Sequence, residues 1–589
     1  VAVTSLRHIQ EDNHVRTTTK RSKFAALAVG LSLVVAACGG DETTETTDGT
    51  TETTTGDTGD TTDTTGEAGA AMRVTYTLSD VAVWDDGSAI SAADFQCTYD
   101  AIINTPGSLS TTGYDQVISI AEGATPKDVV VEFSSQYAPW RLLFNGLLKA
   151  AYHEEQGGCA DVSEQFDQTI PYSGREWQID SWSAEQLVLV PNAGYTGSRT
   201  PGVDRLVFVP AEDGPTVLKS GAVDFIFPQA YTGIDEELSD PNVDSQSAGG
   251  GSFEGFYFQS YDKPETPEQE PFSDPVFRAA FSKSIDRDAV YEQIYAPFAQ
   301  GLPLLDCGPI APGPYCDGAF AGSYDLEGGA ALLEEAGWTK NADGFWARPD
   351  GSVPEIRWMV NTGNTRRENT QEFLIPRLKE AGFNVRADNC EALPCVFETR
   401  LPSLDYDMAM FINTVAPDPA YLRTWGCDQI PTEENDFQGQ NSNGWCNEEA
   451  TELLKAADEE IDVEARAGLV KQAIALMATD HIMLPLLQFP NLGARRTDRV
   501  DNAYGELANY DALNDYYQWT DVDGDGQIIV GAEQFPTSDC ANPITECANS
   551  SWYVWLVSFR VLPALYDTTA DQNIVPGENL VGDAVVEIL

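Results

Sequence analysis

EIRWMVNTGNTRRENTQEFLIPRLKEAGFNVRA (355–387) reads as a strand over 355–360, a helix over 366–381 and a second strand over 383–387, with Gly382 stopping the helix. A glycine just past the last helical turn adopts the left-handed conformation without a Cβ penalty. Strand, helix and strand in this order form the unit of an α/β layer, in which the helix covers a face of the sheet that the strands build.

The same alternation continues outward in both directions. Upstream, 74–78, 129–133, 186–191 and 205–209 read as strands, and Ser91-Ala92-Ala93-Asp94 caps a helix carrying Phe95, Tyr99, Ile102 and Ile103. VFRAAFSKSIDRDAVYEQ (276–293) and LEGGAALLEEA (326–336) place apolar residues at helical spacing, the second ending at Gly337. Downstream, helices are expected over 447–457 and 464–479. The pattern predicts α/β lobes without an internal repeat.

Composition narrows the function classes. The 589 residues include 93 acidic and 34 basic side chains, a net charge of −59. Phosphate binding needs a basic surface, so nucleic acid is excluded as a partner. The charge reads as a solvated acidic coat that keeps the chain soluble. At 42% hydrophobic and 10% aromatic, the chain buries large cores. There are four histidines, and His8 and His14 precede the expected cleavage point, leaving His153 and His481. That is too few for a multi-histidine metal site, and a Ser-His-Asp triad would depend on one of these two. No cofactor is expected, and no enzymatic activity.

Residues 16–38 have the order of an export signal. Arg16, Lys20, Arg21 and Lys23 form a basic region, 24–37 an apolar one, and Val35-Ala36-Ala37-Cys38-Gly39 resembles a lipobox whose cysteine is lipidated. The apolar run is shorter than the roughly 20 residues that span a bilayer. The basic run belongs to a signal whose expected start is Val15. Residues 39–70, almost wholly Thr, Asp, Glu and Gly, have no apolar face to bury and read as an extended tether. The expectation is a body lipid-anchored at Cys38 on the outer face of the cytoplasmic membrane.

Ten cysteines follow Cys38. Cys307 with Cys316, Cys390 with Cys395, and Cys540 with Cys547 close short loops, Cys427 and Cys446 flank a polar one, and Cys97 and Cys159 remain. Outside the cytoplasm an even set without paired CxxC spacing reads as disulfides, although spacing does not fix the pairing.

Seven stretches, in order, resemble family 5 extracellular solute-binding proteins, the oligopeptide- and dipeptide-binding components of ABC importers. They are VWDDGSAISAADF (83–95), LVLVPNAGYTG (187–197), VDRLVF (203–208), LKSGAVDFI (218–226), FRAAFSKSIDRDAVYEQIY (277–295), YDLEGGAALLEEAGW (324–338) and PLLQFP (485–490). The resemblance implies a two-lobed, periplasmic-binding-protein-like α/β fold that closes like a Venus flytrap, with a subsidiary domain in the first lobe. It implies a monomer that takes a small peptide or other polar solute to an ABC permease and its ATPases. The segment that opens a mature family member is absent after the tether, and residues 527–589 resemble it, so the chain reads as a circular permutant, with an assembly fault or fusion remnant whose C-terminal piece dangles as the alternative. The expected organisation is signal 1–38, tether 39–70, first lobe with subsidiary domain 71–265, second lobe 266–479, return and acidic join 480–526, and permuted segment 527–589. If so, strand 582–589 pairs with strand 72–78.

Two segments are candidates for ligand contact. GSFEGFYFQ (251–259), with Phe256, Tyr257 and Phe258, resembles the family strand that pairs an extended peptide, and reads equally as a core strand. FINTVAPDPAYLRTW (411–425) resembles the loop whose aspartate grips the α-amine of a peptide. Aligned on Asp418-Pro419, that position holds Val415, so the clamp is missing unless Asp418 replaces it, which leaves blocked peptides, oligosaccharides and other polar solutes open. Asn413, Tyr421, Trp425 and Trp445 complete the candidate set. Asp521, Asp523 and Asp525 resemble a calcium loop, but Ala532 stands where its bidentate Glu belongs, and a solvated acidic linker is the favoured reading. An extracytoplasmic hydrolase using two carboxylates is a weaker alternative, since carboxylate pairs are inevitable among so many acids. A receptor that signals occupancy without transport is a third.

Overall fold

The computed structural model describes residues 69–589 apart from 109, 167, 230, 232, 262–269, 300, 415, 433–438, 510–511, 534, 536–540 and 546–551. The export signal, Cys38, the tether, Val415, Cys540 and Cys547 lie outside the described residues.

Strands β1 (Met72–Thr77), β2 (Val117–Glu122) and β3 (Asp128–Phe133) begin a small antiparallel sheet. Strands β4 (Trp177–Trp182), β5 (Leu187–Pro191), β6 (Arg205–Pro210) and β7 (Phe225–Ile226) belong to a large one, which continues through the 16-residue β8 (Val243–Phe258). After a short hairpin of β9 (Thr339–Lys340) and β10 (Trp346–Ala347) come β11 (Glu355–Met359), β12 (Asn384–Ala387), β13 (Met408–Thr414) and the long β14 (Met483–Arg496). The chain ends with β15 (Val500–Asp501), β16 (Thr520–Asp521), β17 (Gln527–Ala532), β18 (Tyr566–Thr568), β19 (Ile574–Pro576) and β20 (Val585–Ile588).

The large sheet has the order β12-β11-β13-β8-β14-β7-β17-β6-β5-β4. Two parallel groups, β12-β11-β13 and β7-β17-β6, flank the antiparallel pair β8 and β14, which runs from one group to the other. Proline is poorly suited to a central strand because it donates no hydrogen bond. Here Pro485 and Pro490 fall at the two register shifts of β14, where the ladder is already interrupted. Facing the second shift, Gly250 accommodates Asn491, whose Oδ1 lies 2.3 Å from where a Cβ would stand, and the Gln488 amide donates to the Gly250 carbonyl.

A first-lobe core gathers Tyr76, Trp84, Trp140, Trp177 and Trp519 from both ends of the described chain. In the second lobe each face of the sheet has its own core, one around Phe256, Phe258, Trp358 and Leu374, the other around Phe253, Tyr257, Met359 and Ile474. Helices Thr365–Ala381, Glu448–Glu459 and Val463–Thr479 form where the sequence predicts them, and Gly382 ends the first at φ +105°. The helix expected over 276–293 is instead split into Pro275–Ser282 and Arg287–Val290 with one π turn after it. Asp286 explains the split: its carboxylate accepts from the Ala289 amide and so caps a new helix inside the predicted one.

β20 pairs antiparallel with β1, Val586 opposite Val74, as the sequence reading expected. β17 lies between β7 and β6, parallel to both. Among the described residues, disulfides join Cys97–Cys159, Cys307–Cys316, Cys390–Cys395 and Cys427–Cys446.

Candidate functional site

In open α/β sheets, ligands bind beyond the carboxyl ends of the parallel strands. Here the carboxyl ends of β6, β7 and β17 in one lobe and of β11 in the other line one cavity of about 500 Å³. Its first-lobe wall is Glu212, Asp213 and Ile226 to Gln229, with Gly531 and Glu533; the opposing wall is Asn361 to Arg366. Gly531 lets the strand ends converge, since a Cβ there would stand 2.8 Å from the Ala211 methyl.

The walls differ in charge. Glu212, Asp213 and Glu533 make the first acidic, and burial raises the Glu533 pKa against the Gln229 amide that stabilises its charge. The second presents the amino end of helix Thr365–Ala381, capped by Asn364 Oδ1 accepting from the Arg367 amide, and carries positive dipole charge. Arg366 and Arg367 follow at once, both paired with the fully buried Glu254 of β8. Burial raises the Glu254 pKa, but the two guanidinium groups outweigh it and hold the carboxyl below its usual value. Two cations around one anion leave a net positive charge behind this wall. The rim is braced where the Thr362 amide donates to the Cys390 carbonyl, beside the Cys390–Cys395 disulfide.

A second cavity of about 230 Å³ also joins the lobes. Ala416 and Pro417, at the carboxyl end of β13, face Arg175, Asn514, Tyr566, Asp567 and Phe559 across it.

The candidates from the sequence sit near this cleft but mostly pack elsewhere. Phe256 and Phe258 are buried in one core of the second lobe, and Tyr257 is buried in the other, stacked on Phe411 at 3.9 Å. These aromatic rings are core, because helices cover both faces of the strand, which is the second of the two readings that the sequence offered for it. Asp418 does not present a free carboxylate for an amine: it caps Ala420 and binds Arg466 through both oxygens at 2.7 Å. Trp425 lies parallel to Tyr257 in the core, Trp445 donates from Nε1 to Asp480, and the Tyr421 hydroxyl is buried. Asn413 is half-buried on β13 opposite Phe253. Ala416 and Pro417, next to the predicted residues, are the part of that loop that reaches a cavity. The walls at 211–215, 226–229 and 361–366 were missed, although the predicted strand 355–360 had already marked the last as a strand's carboxyl end.

The carboxylates of Asp521, Asp523 and Asp525 come within 4.8 Å of one another. Asp521 accepts from the Gly524 and Gly526 amides, and Arg499 Nε lies 3.0 Å from Asp523. β17 begins directly after this turn, with Ala532 buried inside the sheet. His153 is buried between Gln165 and Tyr172, and burial lowers its pKa. No helix among the described residues is long and apolar enough to cross a membrane.

The family description "Bacterial extracellular solute-binding proteins, family 5 Middle" matches residues 69–430. The oligopeptide-binding protein OppA of Mycobacterium tuberculosis is 25% identical over 454 residues, covering 74% of this chain and 73% of that one. The periplasmic EDTA-binding protein EppA superposes with a TM-score of 0.66 at 22% identity, over 77% of this chain and 85% of its own. The oligopeptide-binding protein AppA of Bacillus subtilis, solved with a nonapeptide, superposes with a TM-score of 0.57 at 18% identity, over 77% and 87%. At these identities the superpositions carry the fold.

Proposed function

Because the chain belongs to family 5 of the bacterial extracellular solute-binding proteins, we propose that it closes its two lobes on a peptide or peptide-like solute and delivers it to the permease and ATPases of an ABC importer. The family consists of substrate-binding proteins, and this chain is read as one that performs no catalysis. The single observation that carries the cargo reading is the charge of the 500 Å³ cavity: acidic on the wall of Glu212, Asp213 and Glu533, positive on that of Arg366. A zwitterion satisfies both walls, ammonium toward the acids and carboxylate toward the helix end, behind which the buried arginine pair leaves net positive charge. Closure turns on β8 and β14, the strands that pass from lobe to lobe.

In the same reading the signal at 16–38 exports the chain, Cys38 holds it to the outer face of the membrane, and 39–70 spaces a monomeric body from the lipid. The first lobe comprises 71–265 with 480–589, the second 266–479. The order is a circular permutation of the family's, a reading supported by β17 within the sheet of the first lobe and by the β20–β1 pair.

Tryptophan fluorescence and thermal shift against peptide and oligosaccharide libraries test the cargo. Saturable one-to-one binding of peptides is the expected result. Binding of oligosaccharides alone moves the cargo to sugars, and ligand turnover overturns the binding-protein reading.

A further inference from the structure

Helix Trp552–Val561 carries Trp555 and Phe559 one turn apart, with ring centroids 6.0 Å from each other and both rings half-buried. They wall a first-lobe chamber of about 270 Å³ together with Ile102, Leu142, Ile544 and Leu562. Among the described residues, none that lines this chamber is ionisable as an acid or base at neutral pH, in a chain with 93 acidic side chains. Leu142, Asn145 and Phe559 also line the 230 Å³ cavity between the lobes, so the chamber adjoins the cleft through a shared wall. The charged groups of that cavity are matched within the protein: Arg175 lies 3.8 Å from Asp567, which also pairs with Arg199 at 2.8 Å. Among the described residues a charged ligand group would find no unmatched partner there, whereas an apolar one would cover surface that Leu142, 36% exposed, now shows to water. Together the two cavities enter the range of roughly 300–1,000 Å³ that encloses small ligands.

We propose that the chamber behind Leu142 and Phe559 takes one large apolar side chain of the bound peptide, of leucine or phenylalanine size, and so sets the protein's preference among peptides. This rests on the peptide reading above and deepens it. The backbone of the peptide lies in the cleft, its charged ends toward the larger cavity, and one side chain turns into the first lobe.

The test is calorimetric titration of the exported body, residues 39–589, with three series of tripeptides, X-Ala-Ala, Ala-X-Ala and Ala-Ala-X, where X is Ala, Leu, Phe or Glu. The proposal expects one series in which Leu or Phe binds about tenfold or more tighter than Ala and Glu binds weakest. In Leu142→Glu and Phe559→Ser that Phe-to-Ala ratio collapses toward one; Leu142 is partly exposed, so the first of these keeps the fold. Peptide binding that is indifferent to X in all three series overturns the chamber and leaves the peptide reading standing. A preference for Glu, or a Phe-to-Ala ratio unchanged in both variants, overturns it as well. Binding of no tripeptide overturns both.

Discussion

Glu254 accepts two hydrogen bonds on Oε2 from Arg366, from Nε at 3.1 Å and Nη2 at 2.9 Å, and both side chains are sealed from solvent. Arg367 Nε donates to the other oxygen at 2.9 Å. This cluster ties the long strand β8 to the helix that forms the positive wall of the cleft. Burying three charges is expensive, and it is tolerated because each finds a partner. Glu254→Gln keeps the shape but leaves two buried cations unneutralised, so chemical denaturation should show a loss of about 3–5 kcal/mol. The pH dependence has a fixed sign. The folded carboxyl titrates below its unfolded value, so the stability it contributes is present above pH ~4.3 and is lost as pH falls through the folded pKa. The gap between wild type and Glu254→Gln should therefore narrow in acid.

Asp515 behaves in the opposite way. Burial pushes its pKa up to about 6, although Trp519 Nε1 and the Gly505 amide both donate to it. A group whose folded pKa is raised contributes stability below its unfolded value, and that contribution is lost as pH rises through the folded one. Between pH 4 and 7 the wild type should lose about 2 kcal/mol relative to Asp515→Asn. Denaturation of the two proteins at several pH values measures the slope, whatever constant offset the substitution adds.

The disulfides should differ in worth. A crosslink stabilises chiefly by restricting the unfolded chain, and more so for longer loops. Cys97–Cys159 spans a separation of 62 residues and Cys390–Cys395 a separation of 5. Replacing the first pair by alanine should cost about 4 kcal/mol and the second about 2 kcal/mol. The second carries a further expected effect, weaker ligand binding, because its loop braces Thr362 at the cavity rim.

Glu533 stands at the end of β17 on the acidic wall. In Glu533→Gln a peptide with a free amine should bind about tenfold more weakly, while its N-acetylated counterpart binds equally to both proteins. Calorimetry with the matched pair separates loss of the ammonium contact from general damage to the cleft.

The elements of the fold were legible because strand and helix periods differ, and both appear cleanly in 355–387. The site was less so. Residues 256–258 alternate between the two faces of β8, and since both faces are covered by helices, periodicity alone does not say which side chain sees the cleft. Asp418 is bound by Arg466, 48 positions away, a pairing that no local pattern announces. The helix at 276–293 failed for a nearer reason: the apolar spacing runs on through Asp286, whose capping power decides the matter. The cavity walls at 361–366 are polar loop residues without a motif, and it is the sheet topology that brings them opposite Glu533.

The connectivity of the first lobe gives the last prediction. Every residue of β17 from Gln527 to Ala532 opposes one of β6, while Val530 and Gly531 also oppose β7, and Ile528, Val530 and Ala532 are fully buried. Deleting 527–589 removes a strand from inside the sheet and leaves β6 and β7 without the neighbour both pair with, so the truncated chain should fail to give a cooperative melt. At the far end of the same segment, the Leu589 amide donates to the Ala71 carbonyl at 3.0 Å beside the β20–β1 ladder. A short turn can therefore join 589 to 71 without moving either strand. A rearranged chain that starts at 527, passes through that turn and ends at 526 keeps every pairing of the sheet. It should melt within a few degrees of the original and bind the same peptides. A truncated chain that melts like the full one would mean that 527–589 is not part of the lobe, and a rearranged chain that fails to fold would mean that the β20–β1 pair does not set the connection.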